Sequence, residues 1–220
     1  AVGRYALKQN TTGVNNVAVG FQAMRENTIG TWNIAVGYNA LYLNTTGVHN
    51  TAIGYQSLFA NTIGTGLCSL GSYALYSNST GVANIGVGYK ALWKNTIGSS
   101  NTAVGYYALG ANTTGQYNIA VGYDALRANT TGDYNTAVGT YSLTTNTIGI
   151  KNTAVGYKSL WKNTTGNYNT TIGHQSLKNN TTGVKNTAVG YEALNVNTIG
   201  IQNVAVGYAA LMVNTTGYNN

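Results

Sequence analysis

Thirteen asparagines stand 17 residues apart along this chain, with no insertion or deletion between any two of them. They are Asn10, Asn27, Asn44, Asn61, Asn78, Asn95, Asn112, Asn129, Asn146, Asn163, Asn180, Asn197 and Asn214. An unbroken period of this kind means that each window repeats the conformation of the last and buries its apolar surface against its neighbours. With each of these asparagines as position one, position four is glycine throughout, from Gly13 to Gly217, and position eleven is glycine from Gly3 to Gly207. Position seven is asparagine except at Leu67, and position fifteen is leucine except at Met24. The unit reads Asn-Thr-Thr/Ile-Gly-x-x-Asn-Thr-Ala-Val-Gly-Tyr-x-Ala/Ser-Leu-x-x.

Seventeen residues are too few for helical-hairpin repeats, which need about 33 to 47, and leucine-rich repeats place several leucines per turn where this unit has one. The residue choice is that of strands, with Thr, Val, Ile and Tyr between Gly and Asn corners. The absence of proline fits a fold in which nearly every backbone N–H is needed by the next coil. The expectation is an all-β, parallel β-solenoid of thirteen coils, forming one repeat domain over residues 1–220. With one strand spacing of roughly 4.8 Å per coil, such a stack would extend on the order of 60 Å. The chain starts and stops in mid-repeat, which reads as a section of a longer polypeptide.

Each recurring position then has an expected task. Asparagines at positions one and seven, such as Asn10, Asn27 and Asn44, or Asn101 and Asn118, would stack on their counterparts and form amide ladders. Leu109 and Leu126 at fifteen, with Val104 and Val121 at ten, are expected to form the interior apolar ladders. Position three alternates Thr and Ile early on and is expected to be partly buried. The glycine at four, following Asn-Thr-Thr or Asn-Thr-Ile, reads as a corner with positive φ. The strand from seven to twelve is restricted on both faces: Thr/Val/Ile, Val/Ile and Tyr on one, Ala and Gly on the other. A strand restricted on both faces is usually covered on both. Ala at nine and the glycines at eleven, including Gly105 and Gly122, are therefore expected to allow close approach of a second chain. The alternative is that Ala-x-Gly merely keeps a narrow solenoid thin.

Only 7% of residues are charged, and the formal charge of +7 sits almost wholly in the variable slots five, six, thirteen, sixteen and seventeen. Lys90 and Lys158 occupy thirteen, Lys94 and Lys162 seventeen, and Trp93 and Trp161 sixteen. These six residues are the candidate surface contacts, because Trp beside Lys suits a sugar ring or a surface, although apolar cover of a coil edge explains them as well. The basic residues are too dispersed for a nucleic-acid stripe. No run approaches the length of a membrane-spanning helix, so no membrane insertion is expected of this section. The single Cys68 allows no internal disulfide, has no basic sequence neighbour, and reads as a small buried apolar residue.

Catalytic and cofactor chemistry finds no foothold. His49 and His174 occupy different repeat positions without a carboxylate or cysteine at ligand spacing, so no metal is expected. Glu26, Asp124, Asp133 and Glu192 are scattered, which argues against a paired-carboxylate site. No Gly-Lys-Ser/Thr occurs to form a phosphate loop, and a calcium-binding β-roll would need recurring Asp. The glycosylation-type triplets at Asn44, Asn78 and Asn112 read as by-products of the Asn-Thr-Thr corner. The chain is thus expected not to be an enzyme.

The motif Asn-Thr-Ala-Val-Gly-Tyr-x-Ala-Leu, as in Asn186 to Leu194, resembles repeats in the heads of trimeric autotransporter adhesins. It is also similar to the Asn-Thr-Thr-Gly shafts of tail-fibre-like proteins. The resemblance implies a left-handed parallel β-roll, three chains about one axis, displayed outside the cell or on a virion. The function so implied is a structural fibre or filament component for display, attachment or adhesion. Its partners would be further copies of itself, as a homotrimer or end to end in a filament, and a host surface or glycan. The alternative is a surface-binding solenoid, for glycans or for ice, the latter through the Thr that recurs at position two in every coil but that of Ser79. A β-helical enzyme acting on polysaccharide would need a cluster of acids that the chain lacks.

Overall fold

A computed structural model describes all residues from Ala1 to Asn220. Each of the twelve complete coils from Asn10 to Val213 contributes one three-residue strand, the last seven residues contribute none, and there is no helix. The chain divides into two compact units, Ala1–Thr114 and Gly115–Asn220. The first holds β1 (Val17–Val19), β2 (Ile34–Val36), β3 (Thr51–Ile53), β4 (Cys68–Leu70), β5 (Ile85–Val87) and β6 (Thr102–Val104). The second holds β7 (Ile119–Val121), β8 (Thr136–Val138), β9 (Thr153–Val155), β10 (Thr170–Ile172), β11 (Thr187–Val189) and β12 (Val204–Val206). Within each unit consecutive strands pair in parallel, one period apart, as in Ala18↔Ala35 and Ala137↔Ala154. The fold is the parallel β-solenoid of 17-residue coils that the period predicts.

Two tight turns bend each coil. One closes through the N–H of position fourteen on the carbonyl of eleven, as in Ala23 on Gly20 at 3.4 Å. The other closes through position one on fifteen, as in Asn27 on Met24 at 3.3 Å. Non-glycine residues at six, thirteen and fifteen have left-handed φ in coil after coil, for example Trp32 (60°), Lys90 (55°) and Leu92 (52°). Such a residue costs about 1–2 kcal/mol in isolation. The stack offsets this, because the same residues donate their N–H groups across coils: Trp32 to Val14, Lys90 to Ser72 and Leu92 to Ala108, at 3.0–3.2 Å.

The glycines divide the work differently from the expectation. The glycines at position four lie outside the left-handed region. They are required by close approach: a Cβ on Gly13 would lie 2.4 Å from the carbonyl oxygen of Gly30 and 2.5 Å from Asn10 Oδ1. The positive φ belongs to position eleven, with Gly105 at 133° and Gly122 at 137°. A Cβ on Gly122 would also lie 2.6 Å from the Gly139 carbonyl oxygen. Glycine at eleven is therefore demanded by the chain's own next coil.

The core is narrow. Ala at nine, Ala or Ser at fourteen and Leu or Met at fifteen are almost all fully buried, Leu109 and Leu126 among them as expected. Val104 and Val121 are not: they are 37% and 36% exposed, on the outside of the strand. In a three-residue strand only the central side chain points inward, and it meets the core leucines closely: a Cβ on Gly86 would lie 3.2 Å from Leu75 Cγ. The small face is thus the inside, which is the thin-solenoid alternative, and the β-branched residues at eight and ten face out. Cys68, at position eight, lies half-exposed on that outer face and is not buried. Position three is more exposed than expected, with Ile29, Ile63 and Ile97 all on the surface.

Candidate functional site

The asparagine ladders form in both units. At position one, Asn27 Nδ2 donates to Asn10 Oδ1 and Asn44 Nδ2 to Asn27 Oδ1, each at 2.8 Å. The second unit repeats this from Asn146 onto Asn129 at 2.9 Å. Each of these amides also donates to the glycine carbonyl three residues on, as Asn27 does to Gly30 at 3.0 Å. At position seven the pattern changes. Asn101 donates its backbone N–H to Asn84 Oδ1 at 2.9 Å, and Asn118 Oδ1 accepts the N–H of Asn135 at 2.9 Å. The side-chain nitrogen of Asn118 reaches the Gly132 carbonyl at 2.8 Å. Buried amides with donors and acceptors both engaged hold the coils in register and explain why these asparagines tolerate full burial.

The outer strand face carries Val17, Ile34, Thr51, Cys68, Ile85 and Thr102 at position eight of the first unit, with Val, Ile or Leu at position ten throughout. Neither position holds a charged residue in any coil. Beside this stripe, position twelve stacks its rings. Phe21, Tyr38 and Tyr55 lie 5.2–5.3 Å apart in the first unit. In the second, Tyr157, His174, Tyr191 and Tyr208 lie 4.9–5.2 Å apart.

The six sequence-chosen contact residues form one cluster per unit, and in both the tryptophan is half-buried. In the first, Lys90 Nζ lies 4.5 Å above the Trp93 ring and donates to Tyr107 Oη at 2.8 Å, while Lys94 lies 5.5 Å from the same indole. The hydrogen bond from Lys90 to Tyr107 holds its ammonium above the usual lysine range. In the second, Lys158 and Lys162 lie 5.1 and 5.8 Å from the Trp161 ring. Here the structure adds residues that the sequence reading did not choose: Asp124, Arg127, Tyr141 and Thr144 line a groove of about 420 Å³ with Lys158 and Trp161. Asp124 Oδ2 lies 3.5 Å from Arg127 Nη1, its Oδ1 has no hydrogen-bond partner, and burial raises the carboxyl above the usual range against the pull of Arg127. The cue was partial: Asp124 shares position thirteen with Lys158 and lies two coils before Trp161, but Glu192 shares that position two coils after it.

His49 stacks on Trp32 at 6.4 Å, and no three of the His, Cys, Asp and Glu side chains come together as metal ligands would. No helix is long and apolar enough to cross a membrane. No protein-family model matches the chain, and neither a curated protein nor a solved structure is similar to it.

Proposed function

We propose that this chain is a structural fibre or filament component, displayed outside the cell or on a virion for attachment. In this reading copies associate, as a homotrimer, through the outward strand face. The observation that carries it is the uncharged stripe at positions eight and ten, β-branched except at Cys68 and Leu70 and apolar at ten in every coil. An apolar surface that recurs in every coil is a cost in water unless it is covered. A second copy of the chain is the occupant that fits, since identical stripes at one fixed spacing complement each other about a symmetry axis. The side chains are stiff at χ1 and lose little freedom on packing. The lysines and arginines, meanwhile, lie in slots that leave this face clear.

The ice-binding alternative loses its main support, because the threonine hydroxyls at position two are committed to the next coil. Thr28 Oγ1 donates to the Thr45 carbonyl at 3.0 Å and Thr164 Oγ1 to the Thr181 carbonyl at 3.1 Å. The test is sedimentation velocity on the chain and on a variant carrying Val36→Lys, Val104→Lys, Val138→Lys and Val189→Lys. These side chains stand on the outer face, so the circular dichroism spectrum should hold. An unpaired charge buried at an interface costs about 3–5 kcal/mol, so the trimer should give way to monomer. A wild-type chain that sediments as a monomer at high micromolar concentration overturns the reading.

A further inference from the structure

Position sixteen runs Arg127, Thr144, Trp161 in three successive coils of the second unit. A small residue between two long ones leaves a notch in an otherwise filled row, and the groove of about 420 Å³ is that notch. Asp124 lies at its floor, only 7% exposed, with Oδ1 unpartnered. The hydroxyls nearby are already spent: Thr144 Oγ1 donates to the Asp124 carbonyl at 3.0 Å and Thr145 Oγ1 to the Trp161 carbonyl at 2.7 Å. A buried carboxylate oxygen without a donor calls for a specific explanation. The walls are Trp161 and Tyr141, with Arg127 and Lys158 at the rim, while Lys162 and Lys178 approach the indole to 5.8 and 5.9 Å.

We propose that this notch binds an acidic pyranose unit of a glycan. The three requirements of the site name the ligand class. Asp124 Oδ1 needs a hydroxyl or similar donor, the four cations around one acid favour a ligand carrying a carboxylate, and the aromatic walls suit the apolar C–H face of a sugar ring. The volume lies within the range of small-ligand sites, which begins at about 300 Å³. Burial of the carboxyl acts in the same direction, since a hydroxyl donor on Asp124 would compensate a group that now lacks hydration. The first unit offers no equivalent: Trp93 there is engaged by Lys90, Lys94 and Tyr107, with no acid among them. The site uses positions thirteen and sixteen and is separate from the outward strand face, so it stands or falls independently of self-association.

The experiment is isothermal titration of the full chain with galacturonate, glucuronate and sialyl oligosaccharides. Neutral maltotriose and poly-L-glutamate serve as the other arms. At least one acidic sugar should bind saturably. Thr144→Trp should weaken that binding at least tenfold, because it fills the notch with the residue that Trp93 and Trp161 already place at position sixteen. Asp124→Asn, nearly isosteric, should weaken it to a similar degree, and Trp161→Ala more. Thermal melts of the three variants show that the coils remain folded. Full-affinity binding by Thr144→Trp or Asp124→Asn overturns the proposal. So does the absence of binding to any acidic sugar, equal affinity for maltotriose, or equal affinity for poly-L-glutamate, which would mean charge attraction without a sugar site.

Discussion

A methyl group is the smallest addition that can be made to a glycine, and at position eleven it meets two obstacles together. Gly122 has a φ of 137°, which side chains rarely adopt, and a Cβ there would collide with the Gly139 carbonyl. Neither the dihedral nor the neighbouring backbone can shift without breaking the pairing of the next coil. Gly122→Ala should therefore destabilise the second unit by roughly 3 kcal/mol or more, read as a lowered midpoint in thermal or denaturant unfolding. That both glycine positions are obligatory is legible in the sequence. Which of them needs positive φ is not, because Asn-Thr-Thr-Gly has the composition of a left-handed corner. The left-handed residues at six, thirteen and fifteen leave even less trace, since Lys, Tyr, Gln and Leu occupy them. Their conformation is set by hydrogen bonds to adjacent coils, which no local pattern encodes.

At the scale of the strand and its ladders, polarity and size misled in opposite ways. The amide ladders were legible, because an asparagine that recurs at one period can only meet its own kind. The inward face was not: apolar Val at ten suggests interior and small Ala at nine suggests contact, whereas nine is the buried side of the strand, set against the Leu at fifteen, and ten lies outside it. The pairing that betrays it is Thr171 at nine, whose hydroxyl lies 2.6 Å from that of Ser159 at fourteen in the preceding coil. Ser69 and Ser57 make the same pair at 2.7 Å. Where position nine is polar, a serine at fourteen of the preceding coil meets it. The position-seven ladder gives a sharper test. Asn152 Nδ2 donates to the Gly166 carbonyl at 2.8 Å, and its Oδ1 accepts the Asn169 N–H at 3.0 Å. Asn152→Asp keeps the acceptor but turns an oxygen toward the Gly166 oxygen and buries a charge. The variant should lose about 3 kcal/mol or more at neutral pH. Burial raises such a carboxyl, so the folded state binds the proton more tightly than the unfolded one. The loss should then shrink as pH falls through the raised value, where a carboxylic O–H can donate to Gly166. A melting temperature that does not rise relative to wild type on acidification would contradict this.

For the molecule as a whole, the separation of labour between slots governs what it can do. Scaffold positions carry backbone pairing and amide ladders, while charge and most of the variety are confined to slots that face outward. The notch at Asp124 depends on the sizes of residues in three neighbouring coils, so no single window announces it. Cys68 offers a readout of association, as the sole thiol and one on the outer face of β4. If copies pack through that face, a thiol-reactive dye should modify Cys68 at least tenfold more slowly in the wild-type assembly than in the four-lysine variant. Equal rates would place the contact elsewhere.

The amide ladders also have a direction. Between the side chains at position one, the nitrogen of the later coil gives its hydrogen to the oxygen of the earlier one in both units. Aligned peptide-like dipoles add, as they do along an α-helix, so a row of these amides presents spare N–H groups toward one side and spare oxygens toward the other. Two such rows can continue each other only when they run nose to tail, and a flipped neighbour would set like poles against each other.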